Sequence, residues 1–169
     1  MAPGRLVYDS AMESLPPITI THARFRDLSQ VRALQLRAFP AKLAYGMPTL
    51  LLLWAMPGAV FLLAKRETAL LGCAIGDRSG DVSRVVNLAV DPDVRRQGIG
   101  RLLLHELERS LPVGDMILMV QEENLAAQAL YEHTGYRHVG VSRNYYGKDK
   151  NGLWMRKVRT RSGGDRIFV

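Results

Sequence analysis

The run Val85-Val86-Asn87-Leu88-Ala89-Val90-Asp91-Pro92-Asp93-Val94-Arg95-Arg96-Gln97-Gly98-Ile99-Gly100 decides the fold, because it passes from a strand pattern straight into the start of a helix. Apolar Val85 to Val90 reads as a strand, and Asp91-Pro92-Asp93 interrupts it. Beyond, Ile99, Leu103 and Leu107 recur at i, i+4 and i+8 while Arg101, His105 and Glu108 share the opposite face, which predicts a helix with one core side and one wet side. Gly98-Ile99-Gly100 stands where strand gives way to helix. The first N–H groups of that helix have no partner one turn back, so they point past the strand end and cradle an anion. Glycine lets a diphosphate approach the main chain without meeting a Cβ, and Arg95, Arg96 and Arg101 add positive charge within the same turn. Two other glycine motifs do not fit: Leu103 stands where the dinucleotide fingerprint needs a third glycine, and the Gly-Lys-Ser/Thr of the P-loop occurs nowhere.

Downstream, Leu111-Pro112 and Gly114 stop the helix, Met116 to Val120 is a short apolar strand, and Asn124 caps a helix that ends at Gly135. Tyr136 to Val141 and Leu153 to Val158 complete the sheet around a loop containing Arg143-Asn144-Tyr145-Tyr146-Gly147. Upstream, Ile18 to Thr21 alternates as a half-buried strand does. Asp27 with Gln30 gives a capping-box signal before Leu28, Val31, Leu34 and Ala38 at helical spacing. Lys42 to Met56 reads as a second helix, entered or kinked at Pro48. Val60 to Ala64 and Ala69 to Ile75 read as a hairpin around Lys65 to Thr68.

The 169 residues carry a net charge of +7, with 47% hydrophobic and 23% charged residues, which suits one globular domain and excludes disorder, collagen and coiled coil; the alternation of strand and helix patterns makes that domain α/β. The single cysteine, Cys73, excludes an intramolecular disulfide framework and a cysteine-based zinc cage; it reads as a small buried hydrophobe in a reducing, cytoplasmic setting. Leu50 to Ala64 is free of charge but is cut by Pro57-Gly58 and falls short of the ~20 apolar residues a membrane span needs. Met1 to Pro17 lacks a signal-peptide pattern and reads as a flexible arm over 1–17. The domain is expected over 18–158, followed by a basic tail over 159–169. Tyr136 to Val169 holds nine basic residues against two acidic ones, so the net charge of the chain is concentrated there. That fits a polyanionic partner such as the RNA of the ribosome, an acidic peptide or a phosphorylated cofactor, or else a solvated tail. His22, His133 and His138 show no metal-ligand spacing, and no metal is expected.

Arg95-Arg96-Gln97-Gly98-Ile99-Gly100 matches the R/Q-x-x-G-x-G/A signature of the GNAT superfamily of acetyl-CoA-dependent N-acetyltransferases. Asn124-Leu125-Ala126-Ala127-Gln128-Ala129-Leu130-Tyr131-Glu132-His133-Thr134-Gly135-Tyr136 resembles the second cofactor segment of that superfamily. Arg143-Asn144-Tyr145-Tyr146 resembles the bacterial ribosomal-protein N-terminal alanine acetyltransferases. The resemblance covers 85–157 and thins before it. It implies the GNAT fold: a mixed central sheet flanked by helices and splayed between the strands ending at Val90 and Val120, with acetyl-CoA in the gap. Within Leu88-Ala89-Val90, the main chain at Leu88 and Val90 would pair with the pantetheine arm. Arg95, Arg96, Gln97, Gly98, Ile99, Gly100 and Arg101 would hold the pyrophosphate, and Asn124 would contact the pantetheine near the thioester.

Tyr131 is the expected acid, since a phenol of pKa about 10 stays protonated at neutral pH and can protonate the departing thiolate. The alternative is an aromatic packed beside Leu130. In the ribosomal-protein enzymes a glutamate stands at the position of Met119, whose thioether cannot take a proton. Glu122 or Glu123 could serve through a water, or could merely favour the helix macrodipole. At pH 7.4 an α-amine of pKa about 8 gives up its proton for under ~1 kcal/mol, whereas a lysine of pKa about 10.4 costs roughly 4 kcal/mol. A weak base therefore suits a protein N-terminus better than a lysine side chain. Tyr145 and Tyr146 would close over the peptide from one lip. Phe39-Pro40 would form the other, where Ala41-Lys42-Leu43 replaces the family's Trp-Ser. The expectation is acetyl transfer to a primary amine, a protein N-terminal α-amine first, by direct attack in a ternary complex. The alternatives are a small-molecule amine, a lysine side chain, or a non-catalytic acyl-CoA-binding module.

Overall fold

Period-two alternation in the strands and period-3.6 apolar stripes in the helices give a mixed α/β layer structure, and the computed structural model describes residues 16–112 and 114–159 of it. The elements in chain order are β1 (Ile18–His22), α1 (Leu28–Ala38), α2 (Met47–Ala55), β2 (Val60–Arg66), β3 (Ala69–Ser79), β4 (Val82–Val90), α3 (Ile99–Ser110), β5 (Met116–Gln121), α4 (Leu125–His133), β6 (Arg137–Ser142) and β7 (Gly152–Lys157). The strands form one sheet in the order β1-β2-β3-β4-β5-β7-β6. Every neighbouring pair is antiparallel except β4 with β5, which run parallel. One face packs under α3 and α4 through Leu62, Ala74, Leu103, Leu107, Leu118 and Met155. The other packs under α1 and α2 through Val31, Leu34, Leu50, Leu63, Cys73 and Ile75.

The parallel seam is short. Ser83, Arg84 and Val85 oppose Met116, Ile117 and Leu118, and there the pairing of β4 with β5 ends. From that point β4 runs on to Val90 paired with β3, and β5 runs on to Gln121 paired with β7. A bulge causes the parting: Asn87 opposes Ile75 and Val85 opposes Gly76, so Val86 is an extra residue on β4 that bends it away from β5. The splayed sheet is thus as expected.

Four local expectations need correction. Asp27 does not form a capping box with Gln30, because a 3-10 turn over Phe25–Asp27 already winds into α1. Its carboxylate accepts from the Arg24 N–H at 2.8 Å and from Lys65 Nζ at 2.7 Å. The second helix starts at Met47, not Lys42, because Pro48 belongs in a first turn where its missing N–H leaves no bond unmade; Leu43 and Ala44 donate instead to Pro40 O in a tight turn. Glu108 is not on a wet face. It is 8% exposed, accepting from Tyr136 Oη at 2.9 Å and Lys157 Nζ at 2.6 Å, since the α4–β7 side of the molecule covers that flank of α3. Arg159 is no tail residue, for its guanidinium donates to Glu108 O in the last turn of α3, where helix carbonyls lack intrahelical partners, and to Pro112 O and Gly114 O beyond it. The remainder of the arm and tail, 1–15 and 160–169, lies outside the described residues. No helix among the described residues is long and apolar enough to cross a membrane.

Candidate active site

The turn after β4 is built to present main-chain N–H groups. Asp91 accepts from the Asp93 N–H at 3.1 Å, and Arg37 pairs with Asp91 at 2.8 Å and Asp93 at 2.6 Å, which fixes the start of the turn against α1. Arg96 and Gly98 then adopt left-handed conformations, with φ of 65° and 80°. Leu102 is the first residue of α3 with an intrahelical acceptor, Gly98 O at 3.0 Å, so the N–H groups of Ile99, Gly100 and Arg101 remain for an anion. A Cβ at Gly98 would meet nothing within 4 Å, which leaves the cradle open; the glycine is needed there for its positive φ. At Gly100 the need is close approach, because a Cβ would lie 3.2 Å from Leu130 and 3.6 Å from Val90.

The expected cofactor residues do not all face the site. Arg96, Gln97 and Arg101 are exposed, while Ile99 is 1% exposed and anchors the turn in the core. Arg95 is already engaged, donating from Nε to Val90 O at 3.3 Å and from a terminal nitrogen to Ala38 O at 3.1 Å, which ties α1 to the end of β4. Strand alternation sorts the next three. Asp91 N–H donates to Leu71 O, so the main chain of Ala89 also turns toward β3 and that of Leu88 and Val90 turns toward the gap. Ala89 is therefore no gap-facing contact; its methyl is buried on the α1 side.

Across the gap, Asn124 caps α4 by accepting from the Ala127 N–H at 3.1 Å. Tyr131, on the inner face of α4, is 7% exposed and meets Tyr136 edge-on at 5.6 Å. Burial pushes its hydroxyl well above the ordinary tyrosine value, and the neighbouring Tyr146 adds to that. Among the described residues Tyr131 Oη has no protein hydrogen-bond partner. Glu122 turns its carboxylate to Asn151 Nδ2 at 2.7 Å, and Glu123 is exposed with no side-chain partner among the described residues. Met119 lies over Gly152, filling the space a side chain there would need.

Two phenols meet where the strands part. Tyr146 donates to Met119 O at 3.3 Å, and its hydroxyl is pushed up to about 12 by burial and then by Tyr145 and Tyr45. Tyr45 donates to Val86 O at 3.2 Å and is likewise raised by burial, then by Tyr145. Tyr145 stands 59% exposed, edge-on to Tyr146 at 4.9 Å. Phe39 packs onto the α1-side core at the end of α1, so Tyr45 is the residue that reaches the opening from that side.

Tyr45 escaped the sequence reading because it fell in a stretch read as helix. Behind it is an amide pair, buried Gln35 and half-buried Asn87, also missed. Gln35, 0% exposed, donates to Asn87 Oδ1 at 2.8 Å and accepts from the Tyr45 N–H at 3.5 Å. A glutamine inside an otherwise apolar helical stripe was the available signal. Cys73 beside them is buried, and burial pushes its thiol up to about 12. No group of three His, Cys, Asp or Glu side chains among the described residues could hold a metal. The arrangement offers N–H donors for phosphate, a gap edged by strand main chain, and phenols where the strands part.

The family model described as "Acetyltransferase (GNAT) domain" matches residues 57–138. The ribosomal protein bS18-alanine N-acetyltransferase of Escherichia coli K12 is 45% identical over 69 residues, 39% of this chain and 47% of the relative. The chain thus spans about half the length of the curated relatives it matches first. An uncharacterized N-acetyltransferase of Methanocaldococcus jannaschii is 27% identical over 148 residues, 85% of this chain and 94% of the relative. The crystal structure of the E. coli ribosomal-protein-S18-alanine N-acetyltransferase superposes with a TM-score of 0.77 at 28% identity, covering 90% of this chain and all of that one.

Proposed function

Because the chain carries a GNAT acetyltransferase domain and has the fold that goes with it, we propose that it transfers an acetyl group from acetyl-CoA to a primary amine, a protein N-terminal α-amine, by direct attack in a ternary complex. The observation that carries this is the parting of β4 and β5 after Val85 and Leu118, opposite the uncapped N-terminus of α3. The gap fits the donor: N–H groups of 99–101 and the Arg96 and Arg101 side chains receive the diphosphate, and the Leu88 main chain and the Val90 N–H continue β4 as partners for the pantetheine amides.

Acetyl-CoA supplies the activated acyl group, and the residues of this chain do the rest. Gap-facing N–H groups on β4 stabilise negative charge developing on the thioester oxygen. Tyr131, held protonated by burial, gives its proton to the leaving sulfur. Tyr145 and Tyr146 hold the acceptor over Met119. Glu122 or Glu123, through a water, takes the amine's proton, and an α-amine needs the least help with that step. The similarity to an enzyme named for ribosomal protein bS18 supports a protein N-terminus as acceptor. The exposed Arg137, Arg143, Lys148 and Lys150 support a ribosomal or acidic partner in the cytoplasm.

Met119, which cannot act as a base, favours a second reading, an acyl-CoA-binding module without turnover. The test is calorimetry with acetyl-CoA followed by mass spectrometry of peptides with free N-termini, lysine peptides with blocked N-termini, and polyamines. Binding followed by a 42 Da gain on the free N-termini is expected. Binding without turnover supports the second reading, and no binding overturns both.

A further inference from the structure

The end of the slot is closed by side chains whose position bears on which acyl group fits. The first main-chain acceptors past the last β4–β5 residue pair are Val86 O and Met119 O, and each is taken by a phenol, Tyr45 Oη at 3.2 Å and Tyr146 Oη at 3.3 Å. The two tyrosines come from opposite sides, one from the turn before α2 and the other from the β6–β7 loop. Both are tethered through their main chains as well. Tyr45 is held at its N–H by the fully buried Gln35, itself fixed by Asn87 on β4; the Tyr146 N–H donates to Lys150 O at 3.0 Å, and its ring is braced edge-on by Tyr145.

The direction of the donor follows from the same geometry and rests on the acetyl-CoA reading above. Its diphosphate lies at the Gly98 turn beyond Val90, and the arm pairs with Val90 and then Leu88. The thioester and acyl tail must therefore point on toward Val86. Leu88 and Val86 lie two residue steps apart, at most about 6.6 Å with the bulge at Val86. Sulfur, carbonyl carbon and one or two further carbons fill that length, and a longer tail runs into the rings.

We infer that Tyr45 and Tyr146 form the end wall of the acyl slot and restrict this protein to two- or three-carbon acyl donors, with Tyr45 as the specificity-determining residue from the α1–α2 side. Each methylene a site cannot accommodate is worth roughly ten-fold or more in discrimination. The wall acts by ring volume, and the hydroxyl bond to Val86 O sets its position.

Affinity for acetyl-, propionyl-, butyryl- and hexanoyl-CoA, measured by calorimetry without an acceptor, tests this on the wild type, Tyr45→Phe, Tyr45→Leu and Tyr45→Ala. The wild type should bind butyryl-CoA at least about ten-fold more weakly than acetyl-CoA. Tyr45→Phe should keep that ratio, Tyr45→Ala should bring it within about two-fold, and Tyr45→Leu should fall between, so a poorly folded alanine variant still leaves a graded series. A wild type indifferent to chain length, or a ratio untouched in both Tyr45→Leu and Tyr45→Ala while acetyl-CoA still binds, overturns the inference and leaves the acetyltransferase reading standing. Loss of acetyl-CoA binding in the wild type overturns that reading instead.

Discussion

Tyr131 carries the sharpest expectation at the scale of single residues. Its phenol is buried and its pKa is raised, so the acid form persists to higher pH than for a free tyrosine. A group acting as an acid loses activity as pH rises through its pKa; here that loss should begin only above the ordinary value of 10, and a kcat profile should show no alkaline decline from this group below it. Tyr131→Phe should lower kcat by about a hundred-fold with acetyl-CoA affinity nearly unchanged, and unchanged turnover would remove the residue from the chemistry. The sequence points to this residue through the resemblance of Asn124 to Tyr136 to the superfamily's second cofactor segment. Glu108 and Asp27 were misread from spacing alone. Helical spacing tells which flank of a helix a side chain occupies, and whether that flank meets water depends on Tyr136 and Lys157, or on Lys65, which are remote in sequence.

At the scale of elements, α1 is fastened at its first turn by Asp27. Burial works against that charge, but the Lys65 ammonium, the Arg24 N–H and Arg26 outweigh it and hold the carboxyl below its usual 3.8. A depressed acid contributes stability that is fully present above the unfolded value and is lost as pH falls through the folded one. The acid limb of thermal stability should therefore flatten in Asp27→Asn below about pH 4, and a parallel decline in both proteins would contradict the assignment. The far end of α3 makes a second case. Arg159→Ala leaves three carbonyls, one in the last turn of α3 and two beyond it, without their cation, at a cost of about 2 kcal/mol, which should appear as a thermal midpoint lowered by roughly 5 °C. The sequence marked most strands and α3 to within a few residues because their apolar periods are strong. It missed the start of α2, where Leu43 to Leu53 is too uniformly apolar to show a period, and with it the placing of Tyr45.

For the whole molecule, the basic residues at the C-terminal end fall into two populations among the described residues. Arg156, Lys157 and Arg159 are spent inside the fold, on Asp115, on Glu108 and on the carbonyls after α3. Arg137, Arg143, Lys148 and Lys150 are exposed on β6 and the loop that follows. Association with ribosomes or an acidic peptide should thus depend on those four. Replacing all of them by serine should weaken the complex and flatten its salt dependence, while truncation after Arg159 should do so much less. Co-sedimentation across a salt series reads this directly, and equal retention by the four-fold variant would rule out the surface. Composition had shown the excess charge, but the ion pairs that silence part of it exist only once β5, β7 and α3 are assembled.

The seam of three residue pairs between β4 and β5 has one more consequence. The sheet is two leaves on a short spine, and each leaf is a continuous length of chain, β1 through α3 and then β5 through β7. Two polypeptides divided at the α3–β5 turn would each keep their own hairpins, and reconstitution from such halves should depend on Glu108 clasping Tyr136 and Lys157 across the break.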